Sequence, residues 1–307
     1  MPPAPQPLDR KAVLLMVMLC ASWGLNQIAQ KVALADIEPI TQCALRSIGG
    51  SLVVGLYAWW NERGTWRGGD LYVGVGAGLL FTFEFIALYL AIKYTDVARS
   101  ILFVYTAPFF VALGALAFLP QERLRTVQWI GLILAFCGIG VSFLVPDENA
   151  GLLGEALAIA AAAAWGLTTV LIKASRLRNA APTKVLLYQI ATSAFVSPIA
   201  AWAAGEGWPA HISALTALSM IYQIVWVVGV SYAIWFWLIS HYRAGDLSAF
   251  TFLTPVIGVI AGHFLLGDAI SRAFAVTLAL VIAGIVMVNW PRANPRLAAP
   301  GVPPDPE

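Results

Sequence analysis

The sequence predicts an all-α integral membrane protein, with ten transmembrane helices arranged as two inverted five-helix repeats. Three observations predict it. The 307 residues are 60% hydrophobic and 11% charged, with mean hydropathy +0.80, an apolar excess that lipid rather than water must cover. Apolar runs of about 20 residues, long enough to cross ~30 Å of hydrocarbon, recur along the chain with short connections. The second half also echoes the first. Trp165-Gly166 lies 142 residues after Trp23-Gly24, and Lys173 lies 142 after Lys31. Tyr242 follows Tyr94 by 148, Pro255 follows Pro108 by 147, and Gly284 follows Gly138 by 146. Backbone polar groups in lipid must be satisfied within each segment, so the runs are helices. Each copy holds about five of them, and an odd number turns the second copy upside down, as in alternating-access transporters.

In chain order, a Pro-rich tail covers 1–11, followed by a first repeat over 12–145 with spans near 12–31, 40–60, 71–92, 97–119 and 126–145. The first run follows Arg10-Lys11 like a signal peptide, but it outlasts a signal's apolar region and carries one copy of the repeat, so it is expected to stay as a span. The turn-rich stretch Pro146-Asp147-Glu148-Asn149-Ala150-Gly151 makes 146–151 a linker. The inverted repeat follows over 152–290, with spans near 152–173, 184–204, 214–240, 246–266 and 273–290, and then a second Pro-rich tail over 291–307. Both tails are expected to be disordered.

With the N-terminus in the cytoplasm, 13 of the 18 Lys and Arg fall on that side, leaving Lys31, Arg46, Lys93, Arg99 and Arg272 elsewhere. The positive-inside rule then puts both termini in the cytoplasm. Trp59, Trp60, Trp66, Trp129, Trp208 and Trp290 lie near predicted helix ends and read as an interfacial belt.

Trp23, Asn26, Gln27 and Gln30 follow i, i+3, i+4, i+7 and share one face of the first helix. Carboxamides facing hydrocarbon would cost several kcal/mol if unpaired, so this stripe faces protein or water. Trp165, Thr168, Thr169 and Ile172 repeat the spacing in the sixth span. Polar packing between helices would explain one such stripe; its occurrence in both halves favours the lining of a solute cavity. Pro108 and Pro255 fall near mid-span, where a proline frees a backbone carbonyl and bends the helix. A static kink and a rocking hinge are both open, and the central depth favours the hinge. Tyr105 and Thr254 sit beside them.

Two charges lie within spans, Arg46 and Glu84, at depths that would let them pair. Intramembrane ionisable groups are functional candidates. Arg46 suits a substrate carboxylate and Glu84 a substrate ammonium or a coupling proton; a fixed ion pair, or snorkelling of Arg46, is the alternative. The span near 214–240 carries Tyr222, Trp226, Tyr232, Trp235, Phe236 and Trp237; Tyr232, 148 residues after Glu84, is the strongest cavity candidate.

Other chemistry is not indicated. Cys20, Cys43 and Cys137 have no metal or redox spacing and read as small buried hydrophobes. His211, His241 and His263 form no metal motif, and His263 reads as a hydrogen-bonded packing residue. No phosphate-binding loop, nucleophile–base pair or basic nucleic-acid surface is present, so no enzyme activity, cofactor or metal is expected.

These motifs resemble the drug/metabolite transporter superfamily in its EamA-type branch. Trp23-Gly24-Leu25-Asn26 with Lys31 is similar to that family's first-helix signature, and Pro39 with Arg46 to its second-helix start. Ala91-Ile92-Lys93-Tyr94-Thr95 resembles the end of its third helix. Pro108 with Glu122, and Pro255 with Asp268, resemble its proline-to-acidic turns. The resemblance covers roughly 12–290. It implies ten helices, inverted repeats and export of small metabolites, and within the branch the chain is similar to aromatic amino acid exporters of bacterial inner membranes. Gln27 and Gln30 depart from the mostly apolar family stripe and favour a substrate with a polar amino acid backbone. The expected partners are therefore an aromatic or neutral amino acid and the lipid bilayer, with no nucleic acid and a monomer as the working unit. The expected substrate-binding set is Trp23, Asn26, Gln27, Gln30, Glu84, Tyr105, Trp165, Thr168, Thr169 and Tyr232.

Overall fold

The computed structural model describes residues 9–61, 70–118, 125–144, 151–242, 250 and 253–288. Residues 1–8 of the first tail, the second tail, most of the 146–151 linker, Trp66, Glu122 and Trp290 lie outside the described residues, while Arg10 and Lys11, expected in the disordered tail, already belong to the first helix. The regular elements are helices throughout. α1 (Arg10–Ala33) opens at Asp9, whose carboxylate accepts from the Ala12 N–H at 2.7 Å and caps the first turn. α2 (Pro39–Asn61) and α3 (Leu71–Tyr94) follow. Lys31 Nζ donates to the carbonyls of Ile92 (2.6 Å) and Thr95 (3.3 Å), placing a cation at the end of α3 where the helix dipole is negative.

α4 (Val97–Val104) and α5 (Ala107–Phe118) form one path broken at Tyr105-Thr106. Pro108 has no N–H for the Val104 carbonyl four residues back, and α4 stops there. α6 (Thr126–Leu144), α7 (Leu152–Ala174) and α8 (Pro182–Ala203) are continuous. α9 (Ala214–Ile221) widens into a π-helical stretch, Tyr222–Ser231, before α10 (Tyr232–His241). α11 (Leu253–Ala261) ends in a shorter π segment, Gly262–Leu266, and α12 (Arg272–Val288) completes the set.

Among the described residues, six helices are long and apolar enough to cross a membrane, and three shorter apolar helices accompany them. α2 has the length of a span, but Thr41, Gln42, Arg46 and Ser47 interrupt its apolar run.

The halves interlock. α6 packs along α12, α2 along α8, and α3 against both α7 and α8. Each Trp-Gly helix packs on a proline-bearing helix of the other half. A Cβ at Gly24 would stand 3.0 Å from Gly258 N on α11, and one at Gly166 would stand 2.5 Å from Phe110 Cβ on α5. Only glycine lets backbones approach this closely.

The two ends of the bundle are tied by different groups. At the distal end, opposite the start of α1, the Asp36 carboxylate accepts from the Ser213 N–H at 2.9 Å, Glu206 accepts from the Thr41 N–H at 2.8 Å, and Lys93 pairs with Glu38 at 2.8 Å. Hydrogen bonds from Ser213, then from Thr216, hold the Asp36 carboxyl down to about 2. The Asp268 carboxylate accepts from the Ala98 N–H at 2.8 Å and closes the first turn of α4. At the proximal end, Lys184 pairs with Asp70 at 2.9 Å, and the Tyr188 hydroxyl donates to the same carboxylate at 3.0 Å.

Trp59, Trp60, Trp129 and Trp208 are exposed, as belt residues must be. The cysteines correct the sequence reading. Cys20 and Cys43 are buried, but Cys137 is exposed on the outer face of α6. An apolar thiol is tolerated on a face that lipid covers, so apolar context alone does not signal burial in protein. His263 keeps its expected hydrogen bond, 2.8 Å from Nδ1 to the Asp268 carbonyl oxygen, yet its ring is exposed rather than packed inside.

Candidate functional site: a central cavity walled by both halves

A cavity of about 430 Å³ lies between the helices. Its wall takes Trp23, Asn26 and Gln27 from α1, Arg46 from α2 and Phe81, Glu84, Phe85 and Leu88 from α3. The α4–α5 break contributes Val104, Tyr105 and Pro108, and α7 contributes Trp165, Thr168, Thr169 and Ile172. Gln189, Val227, Tyr232, Trp235 and Ile285 complete it from the second half. The volume falls in the ~300–1,000 Å³ range of small-molecule pockets.

Local structure explains why these side chains converge. The close approaches at Gly24 and Gly166 press α1 and α7 inward, which turns the adjacent tryptophans onto the wall. Trp23 Nε1 donates to Ser231 Oγ at 3.1 Å, and its ring meets Trp235 edge-on at 5.7 Å. Trp165 meets Tyr105 edge-on at the same 5.7 Å separation. These contacts fix ring orientation with the geometry aromatic pairs prefer. The broken backbone at Tyr105-Thr106 also borders the cavity, a place where irregular backbone at membrane depth is tolerated.

The polar groups divide into satisfied and unsatisfied. The Thr168 hydroxyl donates to the Ala164 carbonyl at 2.8 Å, and Thr169 to the Trp165 carbonyl at 3.0 Å. Asn26 Oδ1 and Gln27 Oε1 have no hydrogen-bond partner in the protein, although Asn26 is only 9% exposed and Gln27 5%. A buried carbonyl oxygen left unpaired is costly unless a ligand or water completes it.

Of the residues expected from sequence, Trp23, Asn26, Gln27, Glu84, Tyr105, Trp165, Thr168, Thr169 and Tyr232 all lie on this one wall, with Pro108. Two expectations, Gln30 on the wall and an Arg46–Glu84 ion pair, need correction; the hinge expected at Pro255 is not among them. Gln30 lies off the cavity, fully buried one turn further along α1, where Gln42 Nε2 donates to its backbone carbonyl at 3.2 Å. Gln30 keeps the angular face of the stripe, but at 1.5 Å per residue it stands roughly 10 Å along the axis from Trp23, beyond the end of the cavity. Pro255 is buried near the Gly24–Gly258 contact rather than on the wall, and Thr251, whose carbonyl it would free, is outside the described residues. Arg46 and Glu84 share the cavity but form no direct ion pair; the Arg46 guanidinium lies over the Phe85 ring, 4.3 Å from its centroid.

Sequence reasoning missed Phe81, Phe85, Gln189, Trp235 and Ile285. Gln189 was detectable as a lone carboxamide inside a span, and Trp235 lies one helical turn from Tyr232. It also missed the fully buried pair of Arg99 and Glu155, 2.6 Å apart between α4 and α7, with the guanidinium 4.9 Å from the Phe274 ring centroid.

Comparison with known proteins places this architecture. The pattern of the EamA-like transporter family matches residues 10–144 and again 152–290. An uncharacterized transporter of Bacillus subtilis (strain 168), YvbV, is 26% identical over 95% of this chain and 96% of its own. Probable amino-acid metabolite efflux pumps of Salmonella typhimurium and Escherichia coli are each 26% identical, over 91% and 93% of this chain and 94% and 98% of theirs. A crystal structure 21% identical in sequence superposes with a TM-score of 0.61, covering 91% of this chain and 96% of that one, which shows a shared fold. A cavity enclosed by a multi-pass apolar bundle, and a family pattern that fits both halves, lead to one conclusion: the chain belongs to the EamA-like transporter family.

Proposed function

We propose that this protein exports amino acids across the bacterial inner membrane, preferring aromatic and large neutral ones, in the manner of the YddG-type aromatic amino acid exporter. Ten helices in two inverted five-helix repeats rock about the central cavity by alternating access, with both termini in the cytoplasm. The cavity carries the proposal, because both halves supply aromatic faces and hydrogen-bonding groups to one volume. Support comes from two relatives bearing the name probable amino-acid metabolite efflux pump. The tandem family match and the crossed Trp-Gly contacts support the repeat. Trp23, Tyr105, Trp165 and Tyr232 contact the substrate side chain, while Asn26, Gln27 and Glu84 face its polar groups and the self-paired Thr168 and Thr169 line the wall deeper in. The broken backbone ahead of Pro108 serves as one hinge and Pro255 as its counterpart.

The second reading is a carrier of another small metabolite or an organic cation, favoured by Glu84 and the aromatic walls, which suit a cation as well. Counterflow separates the two. Purified protein in proteoliposomes preloaded with phenylalanine should accumulate labelled phenylalanine and tryptophan with saturation, and Trp23→Ala should lose most of it. Absence of counterflow overturns the substrate assignment, and an unchanged rate in Trp23→Ala overturns the site.

A further inference from the structure

We infer that the cavity recognises the zwitterionic head group of its substrate, with Arg46 receiving the carboxylate and Glu84, Asn26 and Gln27 receiving the ammonium. This rests on the export reading above and names the chemistry that the same site selects.

Four observations carry it. Arg46 is 2% exposed and borders the cavity, yet among the described residues it makes no hydrogen bond or ion pair, and its Nε is unpartnered. A buried guanidinium whose coupling to Glu84 is through space only, without an ion-pair contact, is incompletely compensated, and an anionic group on the substrate completes it. The Phe85 ring beneath it holds the planar fork in place for two parallel hydrogen bonds to one carboxylate. Glu84, adjacent on α3 and 7% exposed, likewise borders the cavity with no hydrogen bond or ion-pair contact among the described residues.

The carbonyl oxygens of Asn26 and Gln27 are buried acceptors without a hydrogen bond among the described residues, on cavity-lining residues of the facing helix α1. An ammonium has three donors and no acceptor, which matches two amide oxygens and a carboxylate. Among the described residues, Arg46 and Glu84 are also the only charged ones on the wall. The wall therefore carries one charge of each sign. A net-neutral ligand bearing both signs complements it, whereas a phosphorylated anion finds a single cation and an organic cation leaves Arg46 unpaired.

The head-group contacts lie toward one end, with Arg46, Asn26 and Gln27 outermost and Glu84, ten residues from the distal end of α3, deeper. Arg46, Asn26 and Gln27 lie six or seven residues from the distal ends of α2 and α1, while Trp165 lies 13 residues from the distal start of α7. At 1.5 Å per residue the head-group end sits roughly 10 Å above the deepest indole, about the length of an extended aromatic amino acid. The side chain thus points toward Trp23 and Trp165, the deeper rings.

The test is binding by the full-length protein in lipid nanodiscs to L-phenylalanine, phenylalaninamide, phenethylamine, 3-phenylpropionate and L-leucine. Phenylalanine should bind at least about tenfold more tightly than each analogue lacking a charged group, as expected for a lost charge-assisted bond. Arg46→Gln should weaken phenylalanine by a similar factor and leave phenylalaninamide within about twofold, with Arg46→Lys recovering part of the loss. Glu84→Gln should weaken phenylalanine and spare 3-phenylpropionate. Should Arg46→Gln fail to fold, the unmodified protein's ligand series and Arg46→Lys still decide the matter.

Equal weakening of phenylalanine and its amide by Arg46→Gln would assign Arg46 a structural role and overturn the inference. So would amide binding as tight as that of the acid by the unmodified protein, even with phenylalanine export intact. Leucine binding that depends on both charges, with phenylalanine excluded, removes the aromatic preference but upholds the head-group site. If neither amino acid binds, both readings fall.

Discussion

Helices α1 and α7 start from one sequence pattern and reach different chemistry. Each has a mid-span Trp-Gly, a polar face three and four residues on, and a lysine near its C-terminal end. Each glycine lets its helix press on the proline-bearing helix of the other half. The difference lies in side-chain reach. Threonine hydroxyls in α7 fold back onto their own helix carbonyls, whereas the longer amides of Asn26 and Gln27 stand off α1 with open carbonyl oxygens. The shared part of the pattern builds the cavity, and the divergent part makes one wall receptive to a ligand while the other is polar yet self-satisfied.

The largest expected break in this comparison is at the glycines. Gly166→Ala puts a methyl 2.5 Å from Phe110 Cβ and 3.0 Å from backbone, while Gly24→Ala meets its nearest atom at 3.0 Å. Overpacking of this kind costs ~1–3 kcal/mol. Gly166→Ala should take the upper end and Gly24→Ala the lower, read as a larger fall in Tm in detergent for Gly166→Ala. The reverse order would mean that the α7–α5 contact is the softer one.

Next come the polar faces. Asn26→Leu and Gln27→Leu should each raise the KM for counterflow by about tenfold or more, the loss of one bond to a charged group. Thr168→Val and Thr169→Val should stay within about twofold, because those hydroxyls are already paired. Equal effects on both helices would erase the distinction. The indoles give a smaller contrast. Trp23→Phe gives up the bond to Ser231 and should destabilise by about 1 kcal/mol. Trp165 has only its ring contact with Tyr105, so Trp165→Phe should cost less in the same melting assay.

The smallest effect is at the distal loops, where Asp36 joins the two halves through Ser213. Its carboxyl is depressed to about 2 from an ordinary 3.8. A folded value below the unfolded one means that the stabilisation is complete above the ordinary value and lost as pH falls toward 2. Unmodified protein should therefore lose a small increment of Tm over that acid window, and Ser213→Ala should flatten it. A Tm rising as pH falls there would contradict the assignment.

How much of this was legible from residues differs by type. Apolar runs fixed the helices because lipid permits few alternatives, and Trp23 and Trp165 gave the cavity because indoles at mid-span need a reason to be there. Gln30 was misplaced because a stripe on a helical wheel says nothing about how far along the helix axis the facing cavity extends. Phe85 and Ile285 were invisible, since an apolar residue that lines a cavity has the same signature as one that faces lipid or core. The Arg46–Glu84 question turned on which way two long side chains point, and depth alone does not encode that. Cys137 shows the same limit from the outside.

The most direct test of the central claim is a structure of the protein with 4-bromophenylalanine, using the bromine's anomalous signal to locate it. The account predicts a peak inside the cavity among Trp23, Tyr105 and Trp165, with the amino acid head group turned toward Arg46. A peak outside that wall, or an empty cavity at saturating ligand, would contradict it.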